Sequence, residues 1–455
     1  MGGKKAPLPL EAAPWMPPLD FLPMTVISQT RRWSILFHLF TLLILAFTVP
    51  VPVQAEIWPA WRGPAGDNHA AGGNQVPLKW DLESGQNVVW KTKVPGRGHS
   101  SPVITDEAIF LTTADQRQNT QSLLKFDRET GTLVDETVLH QGGLPKKIHS
   151  NNSHASPTPA FDGEHLFVCF HTSDSIMLSK VTPSGQLVWQ KKVADFVPVK
   201  YQFGYGASPL VEGDVVIVAA EYDGPDSGLY GMDRKTGQQV WKVDRGASNL
   251  SFSSPIAATL AGKRQVFLAG GSKICSYDPV NGQQRWSIDE STDAICGTVV
   301  WDKRNVFVSG GYPGKGTWCV TGDGSADYVW DNRIKCYEQS LLVFGDHLLA
   351  VDDNGVGHCL RTSDGKKTWQ QRLFDGRVSA SPLLVGERIY AASEDGNVVV
   401  VSTQTDQCEV LAKNQTGNSI FASPVVVENR LYLRPAVGFD GDRQEYLVAI
   451  GLVSK

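Results

Sequence analysis

The segment KKIHSNNSHASP, residues 146–157, holds two histidines, His149 and His154, with amides and hydroxyls between them. A neutral imidazole is a metal donor, and it titrates near neutral pH. His99 heads a comparable stretch, HSSPVITDEAIFLTT, so His99 and His154 read as equivalent positions of neighbouring units that could share a metal. A zinc site needs three or four ligands, and no third stands beside them. Asn and Ser also bond their own backbone in ordinary turns, and that reading needs no ligand. EYDGPDSGLYGMD, residues 221–233, carries four carboxylates among glycines. It lacks the spacing of an EF-hand loop, and a solvated hairpin accounts for it. None of the seven cysteines forms a CxxC pair, so neither zinc nor a redox motif is indicated. Cys275, Cys319 and Cys359 fall in similar strands of successive units and are expected as buried thiols. Ser381, beside Pro382, would need a nucleophile elbow to react, and no G-x-S-x-G occurs. No catalytic residue and no metal site is expected.

The surroundings of Ser381 recur along the chain. Ser-Pro followed by an apolar run stands at Ser101, Ser156, Ser208, Ser254, Ser381 and Ser423, with degenerate copies at Gly297 and Ser340. A second signature, a Thr/Ser-Gly turn leading to tryptophan, follows at Trp189, Trp241, Trp286, Trp330 and Trp369, while the first unit has Asp135 in the tryptophan's place. The apolar runs are short and rich in Val, Ile, Leu and Phe, as strands buried on both faces are. Asn354-Gly355 and Asp395-Gly396 supply the positive-φ residues of tight hairpins. Repeats of about 40–45 residues with four strands are propeller blades. The expected fold is therefore all-β, an eight-bladed β-propeller of four-stranded antiparallel blades. Blades are expected to start near residues 99, 154, 206, 252, 295, 338, 379 and 421. The eighth unit ends at YLVAIGLVSK without a tryptophan strand, whereas ESGQNVVWKTKV, residues 83–94, is a tryptophan strand without a blade. Strand 87–94, with Trp90, should complete the last blade and close the ring. That leaves residues 83–455 as propeller and 56–82 as an N-terminal extension. Trp90, Trp189, Trp241, Trp286, Trp330 and Trp369 are expected to dock blade on blade.

Residues 1–55 read as a signal peptide. Arg31 and Arg32 precede the apolar WSILFHLFTLLILAFTV, and Val53-Gln54-Ala55 is a small-residue cleavage site. The Pro-rich leader suggests Met24 as the true start. An exported chain of the periplasm or cell envelope follows, not an integral membrane protein after cleavage. The net charge of −5 offers no basic surface for nucleic acid.

The ASP-(V/L) and (T/S)-G-x-x-x-W signatures on four-stranded blades resemble the pyrroloquinoline-quinone-type (PQQ-like) repeat propellers over roughly residues 83–455. IWPAWRGPAGDN, residues 57–68, looks like the head of exported bacterial members. The resemblance implies one of two roles. Quinone-dependent alcohol and sugar dehydrogenases hold the quinone between a tryptophan and a disulfide of adjacent cysteines, with a calcium ion on a Glu-Asn-Asp set and a catalytic Asp. Non-enzymatic members include the propeller subunit of the outer-membrane barrel-assembly machinery. Here no two cysteines are adjacent, and the nearest, Cys319 and Cys336, stand 17 apart. The expected role is thus a non-catalytic binding or protein-interaction scaffold, monomeric, with envelope proteins or a small polar or glycan ligand as its partner. No cofactor is expected, with PQQ and calcium as the enzyme alternative. A carbohydrate-binding module, with Tyr201, Phe203 and Tyr205 as platforms, is the other alternative. Ligands bind where many blades converge. The channel-mouth positions are Arg97, His99, His149, Asn151, Asn152, His154, Tyr201, Tyr205, Asp293, Tyr337, Glu338 and Arg377.

Overall fold

The computed structural model describes residues 56–453 apart from Asn74, Ser248, Leu250 and 439–441. The signal-peptide reading lies outside the described residues. Apolar strands that alternate with tight turns leave no stretch for a helix, and among the described residues there is no α-helix. They form eight sheets, each an antiparallel blade. Blade 1 is typical, running outward from Val103–Ile104 through Ala108–Asp115 and Thr120–Asp127 to Leu133–Gln141. Its two middle strands are buried along nearly their whole length, while the outermost strand is largely exposed. Burial on both faces is why the middle strands read as apolar runs rather than alternating ones.

Ring closure follows the expected strand. Val88–Val94 pairs antiparallel with Gln444–Ile450, Trp90 facing Ala449 and Thr92 facing Leu447, so blade 8 is built from both ends of the propeller chain. Pairing here removes two open sheet edges. A buried ion pair ties the same seam. Arg434 of blade 8 donates to Glu445 at 2.9 Å, and also to Ser100 Oγ and the Thr112 carbonyl of blade 1.

The turn-and-tryptophan signature has a steric cause. Gly237 of blade 3 sits at φ 70°, and a Cβ there would lie 2.8 Å from Trp189 of blade 2. Only glycine tolerates that conformation and leaves room for the indole. The same pairing sets Trp90 against Gly131, Trp241 against Gly282 and Trp330 against Gly365. Where blade 1 has Asp135, that side chain lies against Gly185 of blade 2. Trp286 differs in that its indole N–H bonds Gln265 of its own blade.

The repeated hydroxyl is a ring-building device. The backbone N–H of Ser101 donates to Thr158 Oγ1, that of Thr158 to Ser208, and that of Ser208 to Ser254. Thr298 then donates to Ser340, Ser340 to Ser381, Ser381 to Ser423, and Ser423 back to Ser101. These seven bonds are 2.9–3.1 Å long. They correct two positions of the repeat. The second unit contributes Thr158 rather than Ser156, and the fifth Thr298 rather than Gly297. In all eight blades the hydroxyl lies two residues before the innermost strand, and only this register puts it there. Blade starts move accordingly from 154 to 156 and from 295 to 296.

Candidate functional site: a cup closed at one end

The hydroxyl ring divides the central channel. On one side, the innermost strands end against residues 56–73. Trp58 exchanges backbone bonds with Ile104 of blade 1, and the Pro59 carbonyl accepts from Phe161 of blade 2. Arg62, wholly buried, bonds the Gly66 and Asp67 carbonyls and reaches the Leu341 carbonyl of blade 6 at 3.2 Å. Asn68 bonds the Pro382 carbonyl of blade 7, and His69 Nε2 lies 2.7 Å from the Val343 carbonyl of blade 6. His69–Ala70 adds a short parallel strand to Leu383–Val385. Gly66, at φ 76°, lets the segment turn where a Cβ would lie 2.8 Å from Ile256. This end of the channel is sealed.

Trp61 points from the seal to the ring. Its indole N–H donates to Thr298 Oγ1 at 2.9 Å, at the place where the ring's bond from Ser254 is not made. Trp61 and the hydroxyls thus floor a cavity of about 460 Å³. Its wall comes from the residue two before each ring hydroxyl. Blades 1–4 give His99, Ser156, Gly206 and Phe252, and blades 5–8 give Cys296, Glu338, Ser379 and Phe421. Loops after blades 1 and 2 and a hairpin within blade 5 raise the rim with His149, Asn151, Tyr201, Phe203 and Tyr312.

Of the twelve expected mouth residues, the cup gathers His99, His149, Asn151, Asn152, Tyr201, Tyr337 and Glu338. Five lie elsewhere. Tyr205 is a core residue, 6% exposed, packed on Phe196 with its hydroxyl donating to the Ala219 carbonyl. The glycan reading therefore loses one of its three platforms. His154 sits behind the wall beside His171, because Ser156 is the true counterpart of His99. Arg97 bonds the Ser150 carbonyl and holds the 144–153 loop to blade 1. Asp293 accepts from the Ser272 hydroxyl outside the cup. Arg377 is exposed, and its carbonyl takes the Glu394 N–H. Trp61, Ser156, Cys296, Tyr312 and Lys335 line the cup without having been picked from sequence. Strand register would have found Ser156 and Cys296. Nothing in the local sequence marks Trp61, which acts across the channel.

Electrostatics differ around the wall. His99 stacks on Phe421, with ring centroids 4.4 Å apart. Burial, reinforced by Arg97, Arg434 and Arg443, holds its pKa well below the ordinary value, so it stays neutral. Lys335 is neutralised by Asp353 at 3.1 Å. The Ser379 hydroxyl lies 2.6 Å from Glu338 Oε2 and 2.7 Å from Glu394 Oε1. Phe203 packs against Tyr201, His149 and Phe252, making one wall aromatic.

The enzyme alternative finds no matching parts. The cup holds one cysteine, Cys296, and all seven cysteines are unpaired thiols. Among the described residues no group of three or more His, Cys, Asp and Glu is placed to hold a metal. The residues present do not fit the quinone-and-calcium arrangement. Cys275, Cys319 and Cys359 are buried, and burial raises the Cys359 thiol to about 11.

The sequence model of the family described as "Outer membrane protein assembly factor BamB" matches residues 65–196, 126–371 and 329–407. The curated BamB of Legionella pneumophila (strain Paris) is 28% identical over 109 residues, 24% of this chain and 28% of that protein. The BamB of Bordetella pertussis is 20% identical over 336 residues, 71% of this chain and 77% of that protein. The chain thus spans less than a third of the first relative and about three quarters of the second. The crystal structure of BamB from Moraxella catarrhalis superposes with a TM-score of 0.58 at 17% identity, covering 80% of this chain and 99% of that one. A europium-containing methanol dehydrogenase gives 0.66 at 10% identity, covering 87% and 98%. At these identities the structures speak for the shared fold alone.

Proposed function

The chain belongs to the outer membrane protein assembly factor BamB family, and from that premise we propose that it is a non-catalytic scaffold that binds other envelope proteins. The observation that carries this reading is the asymmetry of the channel. One end is filled by the protein's own N-terminal segment. The other is ringed by loops that expose apolar side chains, with Val199 at 75%, Val197 at 50% and Tyr312 at 49% exposure. Exposed apolar groups gathered at a mouth are a common mark of a protein contact. The protein acts from the periplasm or cell envelope as a monomer. No described helix is long and apolar enough to cross a membrane. Photo-crosslinking from position 199 in cells should capture envelope proteins, and Val197→Glu with Tyr312→Glu should abolish the capture. Capture that survives both changes would remove the mouth from the contact. Dye reduction on alcohols or sugars after adding quinone and calcium would overturn the non-catalytic reading.

A further inference from the structure

The cup itself is left without an occupant by the scaffold reading, which uses only its rim. Its walls are not equivalent. In a ring of eight, blade 4 faces blade 8 and blade 2 faces blade 6. Phe252, backed by Phe203, therefore stands across the channel from Phe421, backed by His99. Glu338 of blade 6 closes one remaining side, opposite Ser156 of blade 2. The result is an aromatic box with a carboxyl on one side.

That carboxyl belongs to an unbalanced group. One hydroxyl, Ser379, stands within 2.7 Å of oxygens from both Glu338 and Glu394. A hydroxyl has one proton and can satisfy one of them. The other contact is attractive only if a second proton sits on a carboxyl. Among the described residues neither glutamate forms an ion pair, and Glu394 Oε2 accepts only a 3.5 Å bond from the Asn151 amide. The other charged or titratable neighbours of Glu338 are Asp353, Lys335 and Tyr337 of blade 6, Arg377 of blade 7 and Cys296 of blade 5. Lys335, the one cation among the cup-lining residues, is held by Asp353. Burial raises the pKa of Glu338, Ser379 opposes the rise, Glu394 and Asp353 add to it, and Arg377 opposes it more weakly.

A ligand that replaces the extra proton must bring positive charge, and a ligand that suits Phe252, Phe421 and Tyr337 must present weakly hydrated surface. Aromatic faces attract organic cations by their quadrupole, most strongly where water is excluded. We propose that the cup binds a small organic ammonium, its alkyl-bearing head between Phe252 and Phe421 and its charge met by the Glu338–Ser379–Glu394 group. A sugar would use the same rings and hydroxyls but would leave the carboxyl pair's proton in place.

Calorimetric titration of the whole protein with choline tests this, with 3,3-dimethylbutan-1-ol as its neutral carbon isostere and glucose as the sugar comparator. Choline should bind at least tenfold more tightly than either. Its heat should change with the ionisation enthalpy of the buffer, reporting a proton released. Glu338→Gln should weaken choline at least tenfold and abolish the buffer dependence, in a protein that melts normally. Should that variant misfold, Ser379→Ala and Phe252→Leu probe the same pair and the same box. Equal binding of the isostere or of glucose, or choline binding indifferent to Glu338, would overturn the proposal. Co-sedimentation with phosphatidylcholine vesicles that depends on Glu338 would make a lipid headgroup the source of the ammonium, and its absence with free choline bound would make it a solute. The proposal does not rest on the scaffold reading, because crosslinking from position 199 reads the rim and choline reads the cup.

Discussion

The two ends of the channel are built from opposite principles. At the sealed end, Arg62 and Asn68 place their polar atoms on carbonyls of blades 6 and 7, and Trp58 is buried against blade 1. One segment there bonds the innermost strands or their flanking turns in blades 1, 2, 5, 6, 7 and 8. At the mouth, Tyr201 packs on Phe203 and meets Tyr312 through hydroxyls 3.4 Å apart. The sealed end spends its residues on stability, and the mouth keeps them uncommitted. A closed ring has two equivalent-looking openings, so this difference is made by the extension and the loops, not by the blades.

Five changes should break or sharpen the contrast. A chain shortened to begin at Lys79 would uncover the strand ends at Ile104, Ile256 and Leu384, and its melting temperature should fall by on the order of 10 °C or more. A drop of a degree or two would mean the segment is not a seal. Within the seal, Arg62→Ala strands three carbonyl partners and should cost about 3 kcal/mol in urea unfolding. Behind the mouth wall, His171 packs on Phe196, and neither ring nitrogen has a partner. Burial lowers its pKa from 6.5 to about 4. A base whose folded pKa is depressed stabilises the fold fully above its unfolded value of 6.5, and that contribution is lost as the pH falls toward 4. Stability should therefore drop by on the order of 2 kcal/mol over that window, and His171→Phe should flatten that part of the pH profile. Between the ends, Ser208→Ala leaves the Thr158 N–H unbonded and should cost about 1–2 kcal/mol. At the rim itself, Tyr201→Ala should stay within about 0.5 kcal/mol of the parent. A cost near that of Arg62→Ala would show the mouth to be structural after all.

The fold was legible because its signals are local and repeated. The Ser-Pro start, the apolar runs and the glycine that admits a tryptophan each state a geometric need within one blade. The spare strand around Trp90 was legible by count alone. The register slipped where two candidates stood side by side, as at Ser156-Pro157-Thr158-Pro159, or where the proline was missing, as at Thr298. That slip of two residues is what put His154 in place of Ser156 at the mouth. Tyr205 was misplaced for another reason. In FGYGASP it sits among rim residues, and only the packing of Phe196 shows that its ring turns inward.

The sequence by itself determined the eight blades, the strand that closes them and the family, because strand period and turn chemistry depend on neighbours along the chain. Tertiary structure decided which end of the channel is open, that Trp61 floors the cup, and that Glu338 and Glu394 share the one hydroxyl of Ser379. These depend on distances across the ring, between residues that stand 15 to hundreds of positions apart. No local pattern encodes such distances.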